Sequence, residues 1–328
     1  MATPSHGALP MRTLGRTGLQ VSVLGFGASG LGGAFRPIDE GVGIQAVLAA
    51  HKAGINYFDT SPFYGLTRSE QVLGQALKDI PKDSFVLSSK VGRYGDNEFD
   101  FSAARVTASV TESLQRLQVP HLDIVLCHDI EFGDVEQVVS EALPALHALK
   151  ARGLVKHVGF SCLPLALIKR VVQRCQPGDI DVVLSYCHNS LNDSSLLDLL
   201  PSLGDIGLIS ASPMSMGLLT PQGTPDWHPA PPAVKDACAK AVAHAASRGS
   251  YLPRLALAHS VAHPRVASTL VGMVTPEEVA QNVEAVSRAL GVVDDPHAEL
   301  DAQVLAEVQQ ILAPVHNVTW PSGRPDNN

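Results

Sequence analysis

The 328-residue chain is 45% hydrophobic and 17% charged with a net charge of −8, which fits a globular protein with a large core and argues against a nucleic-acid footprint. Its five cysteines (Cys127, Cys162, Cys175, Cys187, Cys238) are odd in number and form no C-x-x-C, so reduced thiols are expected and not a disulfide framework. No run of about 18 apolar residues occurs, and residues 1–10 lack a basic start with an apolar stretch, so neither a membrane partner nor a secretory signal is expected and the cytosol is the default.

Residues 1–10 read as a flexible leader. Gly15-Arg16-Thr17-Gly18 turns between two short runs in 11–23, a hairpin pattern. Residues 23–26 form a first strand that runs into Gly25-Phe26-Gly27-Ala28-Ser29-Gly30. That G-x-G-x-x-G spacing marks a dinucleotide fold only when a helix opens directly from the glycines. Here the helical pattern starts near Asp39, so a glycine-lined loop at a barrel mouth is the better reading. A helix over 41–53 ends at Gly54. Strand two, 55–58, delivers Asp59, and Tyr64 follows in a loop where Pro62 disfavours helix and Gly65 permits a sharp turn. A helix over 69–78 leads to strand three, 85–89, closed by Lys90. A helix over 102–117 with Ser102 as N-cap leads to strand four, 122–127, closed by His128. The helix over 135–151 contains Pro144, so a kink is expected there. Strand five (155–160) ends at Ser161, strand six (180–184) precedes Ser185-Tyr186, strand seven is 208–211 and strand eight is 269–271. Helices fill 164–174, 194–203, 233–247, 254–262, 276–290 and 299–312. Eight strand–helix units in one undivided chain predict an α/β fold, a (β/α)8 TIM barrel as a single domain over 1–328, with the N-terminal β-hairpin closing the bottom.

Such barrels build their active sites at the C-terminal strand ends. Asp59, Lys90, His128 and Ser161 close strands two to five, with Tyr64 just beyond Asp59. Each alone has a plain structural explanation; together they fit hydride transfer with a proton moved by Tyr64. Lys90 is expected to lower the Tyr64 pKa, Asp59 to hold Lys90, and His128 to hydrogen-bond the substrate oxygen. His259 and His263 sit four apart but without a third ligand, so no metal site is expected.

The stretches LGFGAS (24–29), NYFDTSPFYG (56–65), SSKVGR (88–93), LDIVLCHD (122–129), VGFS (158–161) and LVGMVTPEEVAQNV (270–283) resemble the aldo-keto reductase superfamily over nearly the whole chain. Within it, LCHDIEFG (126–133), LSYCHNSLNDSSLLDLLP (184–201), ISASPMSMGLLT (209–220), PDWHPA (225–230) and NVTWPSG (317–323) resemble the plant-type L-galactose dehydrogenases. That resemblance implies NAD-dependent oxidation of L-galactose at C1 to L-galactono-1,4-lactone in ascorbate synthesis. It also implies a catalytic set of Asp59, Tyr64, Lys90 and His128.

For the cofactor the resemblance implies Gly27 and Ala28 at the mouth and Ser161 at the nicotinamide. It implies Ser212, Pro213, Met214, Gly217 and Leu218 at the pyrophosphate, and Gly272, Met273, Val274, Thr275, Glu278, Gln281 and Asn282 at the adenosine. The usual nicotinamide contacts are replaced by Cys162, Val183 and Ala211. Cations that hold a 2′-phosphate in NADP-using relatives match Gly272 and Glu278, so NAD is expected. A small-molecule sugar is the expected partner, with Asp129, Glu131, Tyr186, His188, Trp227, His228 and Trp320 as candidate contacts. Two alternatives stay open: a dehydrogenase for a related aldose such as L-fucose or a general carbonyl reductase, and a non-catalytic cofactor-binding regulatory subunit.

Overall fold

The computed structural model describes residues 9–33 and 36–328, so most of the expected leader lies outside the described residues; Leu9, at its end, is buried. β1 (Met11–Thr13) and β2 (Gln20–Ser22) pair antiparallel, Met11 opposite Ser22. There follow β3 (Leu24–Gly27), α1 (Glu40–Lys52), β4 (Tyr57–Asp59), α2 (Arg68–Leu77), β5 (Val86–Val91), α3 (Ala103–Leu117) and β6 (Leu122–Cys127). α4 (Val135–Gln137) passes through a π turn (Val138–Ala142) into α5 (Leu143–Ala151). Then come β7 (Val155–Cys162), α6 (Leu165–Arg174), β8 (Val182–Tyr186), α7 (Leu196–Leu203), β9 (Gly207–Ala211), α8 (Pro232–Ser247), α9 (Leu252–Ala262), β10 (Ser268–Gly272), α10 (Pro276–Ala289) and α11 (Ala298–Leu312). β3 to β10 pair in parallel in chain order, and β10 closes on β3, giving the expected eight-stranded barrel. Among the described residues no helix is long and apolar enough to cross a membrane.

Period-two alternation sorts each strand's side chains into two layers. Tyr57, Val86, Ile124, Leu126, Val182, Leu184, Ile209 and Leu270 fill the interior. Phe58, Leu87, Val125, Val158, Phe160, Val183 and Leu208 face the surrounding helices. Leu14 and Val21 of the hairpin join the interior cluster, and Arg16 N donates to Asp205 O just before β9. The hairpin therefore plugs the N-terminal end of the barrel, as expected, and leaves the other end for a site.

Helix starts follow local chemistry. Asp39, Ser102 and Thr275 each accept an N–H of the first turn, capping α1, α3 and α10. Pro144 carries no N–H to continue the ladder, and the expected disturbance takes the form of the π turn directly before it. Six strands run past their expected ends, β3, β4 and β10 by one residue and β5, β7 and β8 by two, while β8 starts at Val182, later than expected. Apolar runs mark where strands are buried, whereas ladder pairing decides where they stop.

Candidate active site

The last inward-facing position of each strand makes one ring of side chains at the open end. Strand alternation sends Asp59 of β4, Lys90 of β5 and His128 after β6 to the same side as the interior residues below them. Lys90 Nζ donates to Asp59 Oδ1 at 2.5 Å, to Thr60 O at 2.9 Å and to the Tyr64 hydroxyl at 3.2 Å. Asp59 Oδ2 accepts the Ser88 hydroxyl at 2.6 Å. The His128 ring meets the Tyr64 ring edge-on at 5.5 Å between centroids. Four residues spread over seventy positions thus share one pocket wall, because parallel neighbours bring successive strand ends side by side.

The turn that carries Tyr64 is built from DTSPFYG. Tyr64 N donates to Ser61 O. Gly65 has φ +61, and a Cβ there would lie 2.1 Å from Gly32 O, so glycine is required by both conformation and space.

Electrostatics divide the labour. Burial works against the Lys90 charge, yet Asp59 and Tyr64 outweigh it and hold the ammonium above the ordinary lysine value. Burial pushes the Tyr64 phenol up; Lys90 pulls it down, Asp59 and Asp129 push it up again, and the net shift is upward. This corrects the expectation of a lowered Tyr64 pKa: the ammonium acts as foreseen, but desolvation is the larger effect. Burial pushes His128 down to about 3, with Asp129 opposing and Lys90 and Arg93 assisting, so its ring is neutral.

Asp129 adopts φ +47 immediately after His128. Its Oδ2 accepts Arg93 Nη1 at 2.6 Å, its Oδ1 accepts the Ser161 hydroxyl at 3.1 Å, and its N–H donates back to Ser161 Oγ at 2.8 Å. Ser161, foreseen at the nicotinamide, is therefore engaged with Asp129. Arg93 stacks over Phe63 at 3.8 Å, which fixes the pair beside the Tyr64–His128 wall. Tyr186 donates to Glu131 Oε1 at 2.8 Å, and burial together with the Asp129 charge raises Glu131 to about 7.

The other foreseen sugar contacts have partners of their own. His188 is buried, with Nδ1 on Asp193 at 2.9 Å. Trp320 is buried edge-on against His228 at 5.0 Å, and Trp227 stacks on the same ring at 6.3 Å while 62% exposed. These gather around His228 and Asp193, and Trp320 belongs to an apolar cluster against which Tyr186 packs. Conversely, Ser61, Phe63, Ser88 and Arg93 touch the central residues and were not singled out. Ser61 and Phe63 lie inside the same turn as Tyr64, and Ser88 is two positions before Lys90 on the same strand face, so adjacency and parity were the available signals.

The remaining rim suits a dinucleotide. Gly27, Ala211 and Gly272 close β3, β9 and β10, and among the described residues a Cβ at Gly272 would approach Gly27 O alone, at 4.0 Å, so this stretch of rim carries little side-chain bulk. After β9, Ser212, Ser215, Met216 and Gly217 all take positive φ. The loop is closed on itself: Ser215 N donates to Ser212 O, Gly217 N and Leu219 N to Met214 O, and Leu218 N to Ser215 O. Pro213 and Met214 lie within this turn, and Leu218 is buried. Met273 is buried, Val274 N donates to Glu278 Oε2 at 2.8 Å, and Thr275 caps α10. The second Glu278 oxygen pairs with Arg36. Asn282 donates to Glu278 O within the helix, and Gln281 is exposed. Ala28 is buried beneath the β3 loop, its carbonyl accepting Ser69 Oγ. Of the three positions where family contacts are replaced, Ala211 faces the interior, whereas Val183 and Cys162 face outward. Leu184 is the inward neighbour of Val183.

Comparison with known proteins agrees with this geometry. Residues 23–303 match the aldo/keto reductase family. The L-galactose dehydrogenase of Arabidopsis thaliana is 49% identical over 321 residues, covering 96% of this chain and 98% of that protein. The D-arabinose 1-dehydrogenase of Saccharomyces cerevisiae is 30% identical, covering 93% and 95%. The structure of an aldo-keto reductase from Bacillus halodurans in its holo form superposes with a TM-score of 0.73 at 26% identity, covering 92% of this chain and 96% of that one. The chain therefore belongs to the aldo/keto reductase family and is an oxidoreductase that works with a nicotinamide cofactor.

Proposed function

We propose that the chain oxidises L-galactose at C1 to L-galactono-1,4-lactone with NAD, a step of ascorbate synthesis in the cytosol. The observation that carries this reading is the 49% identity, over almost the full length of both chains, to the Arabidopsis L-galactose dehydrogenase. A bound nicotinamide ring supplies the acceptor for the C1 hydride. Tyr64 takes the proton of the C1 hydroxyl, and Lys90, fixed by Asp59 and Thr60 O, stabilises the phenolate that does so. His128, neutral and adjacent to Tyr64, donates a hydrogen bond to the C1 oxygen as it becomes a carbonyl. Asp129 and Arg93 offer an acceptor and donors to neighbouring hydroxyls, and a site built for hydroxyls discriminates against substrates that lack them.

The preference for NAD rests on Glu278. Its carboxylate is held at the first turn of α10 by Val274 N, where it repels a 2′-phosphate and accepts from a free 2′-hydroxyl. Arg36 beside it is the one observation on the other side, since a guanidinium suits a phosphate. NADH or NADPH formation at 340 nm on a panel of aldoses tests both points. L-galactose with NAD is expected to give the highest kcat/KM. A preference for NADP removes the cofactor assignment, and a preference for another aldose moves the substrate. The 30% identity to a D-arabinose 1-dehydrogenase makes a stereochemically related aldose the second reading.

A further inference from the structure

The two ring nitrogens of His128 sit in different settings. Nδ1 lies 2.9 Å from the Ser61 hydroxyl. Nε2 lies 3.5 Å from Asp129 Oδ2. A neutral imidazole carries one proton, and which nitrogen bears it decides whether Nε2 can donate.

Ser61 is fully buried, and its Oγ accepts the Phe63 N–H at 3.1 Å. Among the described residues its own hydrogen has one acceptor within reach, His128 Nδ1. With the ring proton on Nδ1, the Ser61 hydrogen would be buried without an acceptor, and the Nε2 lone pair would face a carboxylate. Asp129 is anchored by Arg93 and Ser161, so that negative charge does not move aside. Both penalties vanish when Ser61 donates to Nδ1 and the proton stays on Nε2. At 3.5 Å the contact to Asp129 is longer than a normal hydrogen bond, so Nε2–H is oriented without being consumed.

We propose that Ser61 is a positioning residue that fixes the His128 tautomer, donating to Nδ1 so that Nε2–H is presented to the substrate oxygen. This rests on the reading of His128 as the donor to the C1 oxygen. The backbone turn between Asp59 and Tyr64 thus supplies two functions: it aims the phenol, and through Ser61 it sets the proton on the adjoining imidazole.

Nitrogen-15 histidine NMR on the full chain tests the assignment, with the His128 signals identified by their loss in His128→Gln. The wild type is expected in the Nε2–H form. Ser61→Ala is expected to show a mixed tautomer population and a kcat on L-galactose lower by about tenfold, the scale of one neutral hydrogen bond, with KM little changed. Ser61→Thr, which keeps the hydroxyl, is expected to restore both. An Nδ1–H ring in the wild type overturns the proposal, as does a Ser61→Ala variant unchanged in tautomer and kcat. If Ser61→Ala does not fold, the wild-type spectrum and the Ser61→Thr variant decide. If no aldose is oxidised by the wild type but the Nε2–H form is lost in Ser61→Ala, the substrate reading fails and the tautomer assignment stands.

Discussion

An ammonium that is 2% exposed stays charged only while its counter-charge is in place, and Lys90 has Asp59 at 2.5 Å for that purpose. Removing one partner of a buried pair leaves the other uncompensated, which costs about 3–5 kcal/mol. Asp59→Ala is therefore expected to lower stability by that amount in urea unfolding, besides losing turnover. Tyr64 is the residue whose proton moves, so Tyr64→Phe is expected to cut kcat by about 100-fold or more while cofactor affinity, followed by fluorescence titration, stays nearly unchanged. Because burial raises the Tyr64 pKa, oxidation, which needs the phenolate, is expected to accelerate with pH into the alkaline range. Lys90→Met removes the pull in the other direction and is expected to move that rise to still higher pH and to slow the reaction throughout. A pH-rate profile of each protein checks both signs.

At the scale of elements, the turn from β4 to α2 bears the greatest constraint. Leu66 and Thr67 follow Gly65 with positive φ, and the Gly65 site leaves no space for a Cβ beside Gly32 O. Gly65→Ala is expected to push the turn off the β3 loop and displace the Tyr64 hydroxyl by about an ångström, which on general grounds costs about 100-fold in kcat. The melting temperature should change far less, because the turn lies outside the barrel core. A loss of stability without loss of kcat would place the constraint on folding instead of on Tyr64. The same element explains what was and was not legible beforehand. Asp59 and Tyr64 were found from a polar residue ending an apolar run and a phenol before a glycine. Ser61 was passed over because a serine in a turn has a sufficient local explanation until its neighbour at the end of β6 is known.

Over the whole molecule, the C-terminal segment is tied to the open end through Glu131. Glu131 Oε1 accepts Leu163 N, Tyr186 and Ser322, and its backbone oxygen accepts Arg324 N and Asn327 Nδ2. One fully buried carboxyl thus joins β6, β7, β8 and the chain terminus. Its pKa is raised to about 7 from an ordinary carboxyl value, so the folded state holds a proton that the unfolded chain releases. Its stabilising protonation is fully present below the unfolded value and is lost as pH rises through about 7. Glu131→Gln, which stays neutral, is expected to gain on the wild type as pH climbs from about 5 through about 7, and to gain no further above that. Melting temperatures of the two proteins across that range test this; a difference independent of pH would mean that Glu131 does not titrate there.

The order of eight strands and their helices, the hairpin, and the residues closing strands were all encoded locally. Alternation and apolar periodicity are properties of neighbouring residues, and in a parallel barrel they also determine which side chains face inward. What only the closed barrel decided was distance and competition between distant groups. The upward shift of Tyr64 comes from burial, which outweighs the downward pull of Lys90. Ser161 is taken up by Asp129, Val183 by the helices and Glu278 by Arg36 and Val274 N. Each of these outcomes depends on a partner far along the chain, and hydrogen bonds and burial are settled by what is near in space.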